Sequence, residues 1–234
     1  MHVFLETPRL MLRRFTRADA DNLVSLNADP DVMRFITGGV PIGRGEIEED
    51  LLPAFLGYYE RFDGYGFWAA VEKRTGEFLG CFYLTPREGG APGEAELGFR
   101  LRKSAWGKGY ATEGSRALIR SGFTEFGLRR VVADTMAENI ASRRVLEKAG
   151  LRLIRRQPGT DLDDDGESGD VEYALGKADW ERQDQAAGHN PTGQGLSHDR
   201  RHQRGPHPAA DNEVLPENQL PVPAGWSPPS SGWG

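Results

Sequence analysis

Apolar positions recur along this chain with two periods, and the switches between them mark out the elements. Leu10, Leu12 and Phe15 alternate with basic residues in MLRRF, which predicts a strand. Thr16 followed by Asp19 predicts a helix start, with a hydroxyl to cap and a carboxylate in the first turn. Leu23, Val24 and Leu26 supply the stripe of that short helix. A second helical stretch spans residues 46–61 with Ile47, Leu51, Leu52, Phe55 and Tyr58 on one side, and Pro53 inside it predicts a kink or a break. Two strand runs follow, 67–71 and 78–84, joined by a turn signal at Thr75-Gly76, and a Gly/Pro-rich loop over 87–93 leads to a third, 94–101. The period then changes. Ala111, Ser115, Leu118, Ile119, Gly122, Phe123 and Phe126 recur at three- and four-residue spacing, which predicts an amphipathic helix. A strand over 130–136, a short helix capped by Asn139 and stopped at Gly150, and the strands LRLIRR and DVEYAL complete the series. An acidic loop, 161–170, separates the last two.

The order is therefore strand, two helices, three strands, helix, strand, helix, two strands. Only the central strand–helix–strand requires a parallel crossover, so the expected fold is α/β, a mixed sheet with helices on both faces and no internal repeat. Composition divides the chain further. From about residue 190 it is Gly, Pro, Ser, His, Asn and Gln with no apolar periodicity, too little apolar surface to offset the entropy of ordering. The expectation is one domain over residues 1–182 and a low-complexity, disordered tail over 183–234.

The single cysteine, Cys81, excludes an intramolecular disulfide and lies in an apolar run, where a buried structural thiol is expected. No apolar run reaches the length of a membrane span, and the N-terminus lacks a signal-peptide core; the expected location is the cytoplasm, with no membrane partner. A net charge of -6 disfavours a nucleic-acid partner and favours cationic substrates. Four of the five histidines fall in the tail, so no metal is expected.

The most informative residues are Trp106, Gly107, Lys108, Gly109, Tyr110, Ala111 and Thr112, which join a strand to a helix. The first N–H groups of a helix lack internal partners and carry the positive end of its dipole, so they suit anionic oxygens. Glycines there remove side chains that would block a diphosphate, and Lys108 adds charge; a plain tight turn is the alternative reading. The spacing matches neither a nucleoside triphosphatase loop nor a dinucleotide fingerprint.

Gly107-Lys108-Gly109-Tyr110-Ala111 resembles the pyrophosphate loop of the GNAT superfamily, Arg/Gln-x-x-Gly-x-Gly/Ala, with Trp106 at the Arg/Gln position. WGKGYATE is similar to the form seen in the RimJ/RimL branch. TPRLMLRRFTRAD, GFWAAVEKRTGEFLGCFYL, AENIASRRVLEKAGL and DVEYALGKADW resemble further segments of that branch in order, over roughly residues 5–181.

The resemblance implies an N-acetyltransferase that takes acetyl-CoA as acyl donor and an amine as acceptor, as a monomer or homodimer. It implies a strand 94–101 splayed from the next one, with pantetheine on the main chain of Phe99, Arg100 and Leu101, whose side chains would be ordinary core. The diphosphate would sit on residues 107–112, and Asn139 and Ser142 would approach the thioester, although both also suit a local capping role. Arg143 and Arg144 would face the 3′-phosphate or simply solvent. Alternation sets Glu96, Gly98 and Arg100 on the face opposite Leu97, Phe99 and Leu101. Glu96 matches the base of some superfamily members; a surface carboxylate or a partner of Arg100 is the alternative. Where many members carry an acidic tyrosine this chain has Leu146, which leaves Ser142 as the candidate acid. The acceptor would be a protein N-terminal α-amine, a cationic metabolite such as an aminoglycoside, or a polyamine, met by loops 35–44, 87–93 and 161–170. The rival function is a non-catalytic acyl-CoA-binding regulatory domain.

Overall fold

The computed structural model describes residues 2–62, 64–158 and 169–188. Its centre is one eight-stranded sheet of order β1-β2-β3-β4-β5-β6-β8-β7. The strands are β1 (Val3–Glu6), β2 (Leu10–Arg14), β3 (Gly66–Glu72), β4 (Phe78–Pro86), β5 (Glu94–Leu101), β6 (Arg130–Met136), β7 (Arg152–Pro158) and β8 (Gly169–Gly176). Every neighbouring pair is antiparallel except β5 and β6. The mixed α/β architecture with helices on both faces is the one that the periodicity predicts.

Each face carries its own core, as the two-residue repeat requires. Leu12, Trp68, Phe82, Leu84, Leu97 and Tyr173 lie on one face, against α5 (Tyr110–Thr124) and α6 (Ile140–Lys148). Phe15, Phe67, Ala69, Cys81 and Tyr83 lie on the other, against α1 (Ala20–Asn27), α2 (Pro30–Met33) and the helical stretch from Arg44 to Arg61. Cys81 is buried, and burial pushes its thiol up, which makes it a packing residue. Among the described residues no helix is long and apolar enough to cross a membrane.

Local chemistry accounts for the boundaries. The Thr16 N–H donates to Asp19 Oδ2 at 2.9 Å, and Arg13 forks onto both Asp19 oxygens at 2.7 and 2.8 Å. Burial works to raise the Asp19 pKa, but the Arg13 fork, the Thr16 N–H and Asn22 outweigh it and hold the group at about 2. The expected disturbance at Pro53 takes the form of a wide turn. The chain runs as a single turn, α3 (Arg44–Glu46), a π-helical turn (Ile47–Leu51), and then α4 (Leu52–Arg61), with Pro53, which has no N–H to donate, in its first turn.

Four elements went beyond the sequence expectations: β1, α2, a 3-10 turn (Lys103–Ala105) and α7 (Lys177–Ala186). Helix α7 crosses residue 182 and is tied to the domain. Trp180 packs on Phe123 with centroids 5.4 Å apart, Arg120 pairs with Asp184, and Gln183 Nε2 donates to Gly150 O at 3.2 Å. The tail from residue 189 and most of the acidic loop, including Asp161, Asp163, Asp164, Asp165 and Glu167, lie outside the described residues.

Candidate active site

The sheet opens between its two parallel strands. Glu94, Ala95 and Glu96 pair with Arg130, Val131 and Val132, and the pairing stops there. Beyond that point β6 continues in register with β8 out to Met136 opposite Asp170, while β5 continues with β4 out to Leu101 opposite Gly80. Two strands that remain paired on their outer sides and part on their inner sides leave a wedge. Its walls are the edges of residues 97–101 and 133–136, and Glu96 stands at its apex.

At the wide end of the wedge, α5 begins. Gly107 and Gly109 both have left-handed backbones, with φ of 70° and 82°. An added Cβ at Gly107 would meet nothing within 4 Å, so its glycine is required by conformation rather than by crowding. At Gly109 the added Cβ would come 3.4 Å from Arg9 Nη2. The intrahelical ladder starts with Glu113 N–H donating to Gly109 O at 3.0 Å, so the N–H groups of Tyr110, Ala111 and Thr112 have no acceptor within the helix. The Tyr110 side chain turns inward and its hydroxyl donates to Glu72, away from the loop's N–H groups. Trp106 is 46% exposed, and its indole N–H is tied to Leu101 O at 2.8 Å, which holds the ring where β5 ends.

Arg9, in the turn between β1 and β2, holds this loop and carries no signal in a linear reading. Its Nη1 donates to Lys108 O at 2.8 Å, its Nε to Glu113 Oε2 at 2.6 Å, and its guanidinium lies 4.5 Å from the Tyr110 ring centroid. Glu113 also accepts from the Thr7 hydroxyl at 2.6 Å and from the Arg9 N–H at 3.0 Å. Burial works against its charge, but these donors outweigh it and lower the carboxyl's pKa.

On the α5 and α6 face, Asn139 caps α6 by accepting from the Ser142 N–H at 3.1 Å. Ser142 is 3% exposed, and its Oγ has no hydrogen-bond partner among the described residues, as is also true of Thr135 Oγ1 on β6. A buried hydroxyl without a partner costs about 1–3 kcal/mol, which a ligand atom would relieve. Arg143 is not a solvated cation: it donates to Ala137 O at 2.8 Å and to the Tyr173 hydroxyl at 3.1 Å.

The opposite face gathers charge. Glu96 Oε1 accepts from the Tyr83 hydroxyl at 2.8 Å, and Arg100, on the same face of β5, turns to Asn27 Oδ1 and to Met33 Sδ at 3.6 Å. Arg100 is 4% exposed, and burial lowers its pKa to about 10, so its side chain is a buried cation and not the ordinary core expected of it. Phe99 and Leu101 do enter the core. Arg87 spans three strands, reaching Glu172 at 2.6 Å, Asp134 at 3.4 Å and Glu94 at 3.8 Å. Burial pushes Glu96 above the ordinary carboxylate range against the pull of Tyr83 and Arg87. Asp134 rises to about 6, mainly from burial, with Arg87 opposing and the charges of Glu96 and Glu172 adding. Tyr83, Arg87, Asp134 and Glu172 were not singled out from the sequence. Only Asp134 carried a signal there, a carboxylate in the otherwise apolar alternation of its strand. Among the described residues no group of three or more His, Cys, Asp or Glu could hold a metal ion.

A family model described as acetyltransferase (GNAT) domain matches residues 9–152. FsC-acetyl coenzyme A-N(2)-transacetylase of Aspergillus fumigatus is 30% identical over 192 residues, which cover 76% of this chain and 78% of that protein. Among solved structures, a GNAT-family acetyltransferase from Bacillus anthracis superposes with a TM-score of 0.60 at 24% identity, over 76% of this chain and 99% of the other. Spermidine N-acetyltransferase from Vibrio cholerae, solved with CoA and spermine, superposes with a TM-score of 0.61 at 15% identity, over 74% and 99%.

Proposed function

This chain belongs to the GNAT acetyltransferase family and is an acetyl-CoA-dependent acetyltransferase, and from that premise we propose that it acetylates a primary amine with Glu96 as general base. The observation that carries the reading is the end of β5–β6 pairing at Glu96 and Val132, which puts a half-buried carboxylate at the apex of the wedge. The relative from A. fumigatus is named for acetyl transfer to an N(2) nitrogen, which agrees with an amine acceptor. The RimJ/RimL-like WGKGYATE loop points to the branch, and the acceptors that fit are a protein N-terminal α-amine or a small cationic metabolite. A reducing cytoplasm suits the single buried thiol.

The residues present fit acetyl-CoA, which supplies the acetyl group as a thioester. The free N–H groups of Tyr110, Ala111 and Thr112, with Gly107, Lys108 and Gly109, suit its diphosphate. The unpaired inner edge of Phe99, Arg100 and Leu101 suits its amide-bearing arm, which can bond there as an added strand does. Ser142, with its unsatisfied hydroxyl beside the Asn139 cap, donates a hydrogen bond to the departing thiolate, which takes its proton from solvent. On the other face Glu96 removes the proton from the acceptor nitrogen. The carboxylates of Glu96 and Asp134 favour a cationic acceptor before that step, while Glu172 is held by Arg87 on one oxygen and Arg155 on the other.

Glu96→Gln tests the reading. Amine-dependent thiol release should fall about 10²–10⁴-fold while the acetyl-CoA Kd stays within about twofold. A base works deprotonated, so the wild-type rate should fall as pH drops through the Glu96 pKa, which burial sets above the usual carboxylate range. Wild-type turnover in Glu96→Gln would remove Glu96 from the chemistry.

A further inference from the structure

We infer that Tyr83 is a positioning residue for Glu96, carried across β5 by the absence of a side chain at Gly98. The inference rests on the reading of Glu96 as the base. Tyr83 and Gly98 are direct cross-strand partners in the β4–β5 pairing, and Glu96 lies two residues back along β5 on the same face. An ideal Cβ at Gly98 would clash with the phenol, standing 2.0 Å from Cε1, 2.2 Å from Cζ and 2.4 Å from Oη of Tyr83. The ring therefore lies flat over the Gly98 backbone and reaches across the strand toward the side where β5 parts from β6. Its hydroxyl ends 2.8 Å from Glu96 Oε1. The residue is 4% exposed and its ring packs 5.5 Å from that of Phe67, so its place is set by packing on one side and by the glycine on the other.

This arrangement gives one carboxylate oxygen a fixed neutral donor and turns Oε2 to the acceptor nitrogen. The phenol stays protonated, because burial raises its pKa well above 10 and the charges of Glu96 and Asp134 raise it further. Tyr83 thus moves no proton. It selects the rotamer of the base and stabilises its charged form against the burial that raises the carboxyl's pKa. The groups that face Glu96 are Tyr83 from β4, Arg87 from the end of β4, Asp134 from β6 and Tyr58 from α4. Of these Tyr83 and Arg87 favour the carboxylate and Asp134 opposes it.

The test is a titration of the full chain labelled with ¹³C at the glutamate carboxyls, with Glu96→Gln used to assign the Glu96 resonance. Tyr83→Phe keeps the ring and its packing and removes only the donor. The Glu96 midpoint should rise by about one pH unit in Tyr83→Phe, the size set by losing one hydrogen bond to a charged group. Gly98→Ala, which keeps the phenol in the chain but forces ring and hydroxyl away from Glu96, should give a rise of similar size. Combining the two should add little to either alone. An unmoved Glu96 midpoint in Tyr83→Phe overturns the inference, even if Glu96→Gln is kinetically dead and the base assignment stands. Wild-type turnover in Glu96→Gln overturns both together.

Discussion

Gly109 carries two demands at once, a left-handed backbone at φ 82° and a neighbour, Arg9 Nη2, 3.4 Å from where a Cβ would stand. A β-branched residue meets the first only with strain of about 1–3 kcal/mol, and its γ carbons would add bulk beside a guanidinium already at contact distance. Gly109→Val should therefore rebuild the turn that aims the Tyr110, Ala111 and Thr112 N–H groups. Ligand bound to the native state stabilises it by about 2.7 kcal/mol at a hundredfold excess over Kd. In the wild type, acetyl-CoA should raise Tm well beyond what pantetheine alone achieves; in Gly109→Val the two should give the same small shift. A full acetyl-CoA shift in the variant would place the diphosphate elsewhere. The face on which Glu96 lies was legible at this scale, because strand alternation fixes it from sequence alone. Tyr83, Arg87 and Glu172 were not, since their roles depend on cross-strand register and on which strands become neighbours, and a linear pattern encodes neither.

Among the elements, the most consequential link joins the β1–β2 turn to the first turn of α5. Glu113 takes hydrogen bonds from the Thr7 hydroxyl, the Arg9 N–H and Arg9 Nε, and through Arg9 it fixes Lys108 O. Glu113→Ala should lower stability by about 1–2 kcal/mol, a modest figure because Arg9 is half exposed and its ion pair is screened. The acetyl-CoA Kd should nevertheless rise about three- to tenfold, because the loop loses the cation that holds its shape. Titration calorimetry beside thermal melts would check both; an unchanged Kd with lowered Tm would make the link purely structural. Long periodic elements such as α5 and the β3–β4 hairpin were legible in the sequence. Strand β1, α2 and α7 were not: α2 is a single turn held by the Asp29 cap, with Asp29 Oδ1 accepting from Asp31 N–H, and α7 owes its place to Trp180, Gln183 and Asp184 meeting residues far along the chain. Such elements draw their stability from tertiary contacts more than from their own pattern.

For the whole molecule, the sheet separates two tasks. The α5–α6 face presents helix-terminal N–H groups, an unsatisfied Ser142 hydroxyl and the unpaired edge of β5, which suit acetyl-CoA. The α1–α4 face presents Glu96 and Asp134, which suit a cationic nitrogen, beside a Glu172 held by Arg87 and Arg155. The wedge at residues 97–101 is where the two faces communicate, and it arises because a parallel pair in an otherwise antiparallel sheet stops after three residues. The measurement that tests this account most directly is thiol release from acetyl-CoA by the full chain. Protein N-terminal peptides, polyamines and cationic metabolites would serve as acceptors, with the products read by mass spectrometry. The account predicts amine-dependent release matched one for one by N-acetylated product, falling at low pH and lost in Glu96→Gln. Tight acetyl-CoA binding with no amine-dependent release across all three acceptor classes would contradict it.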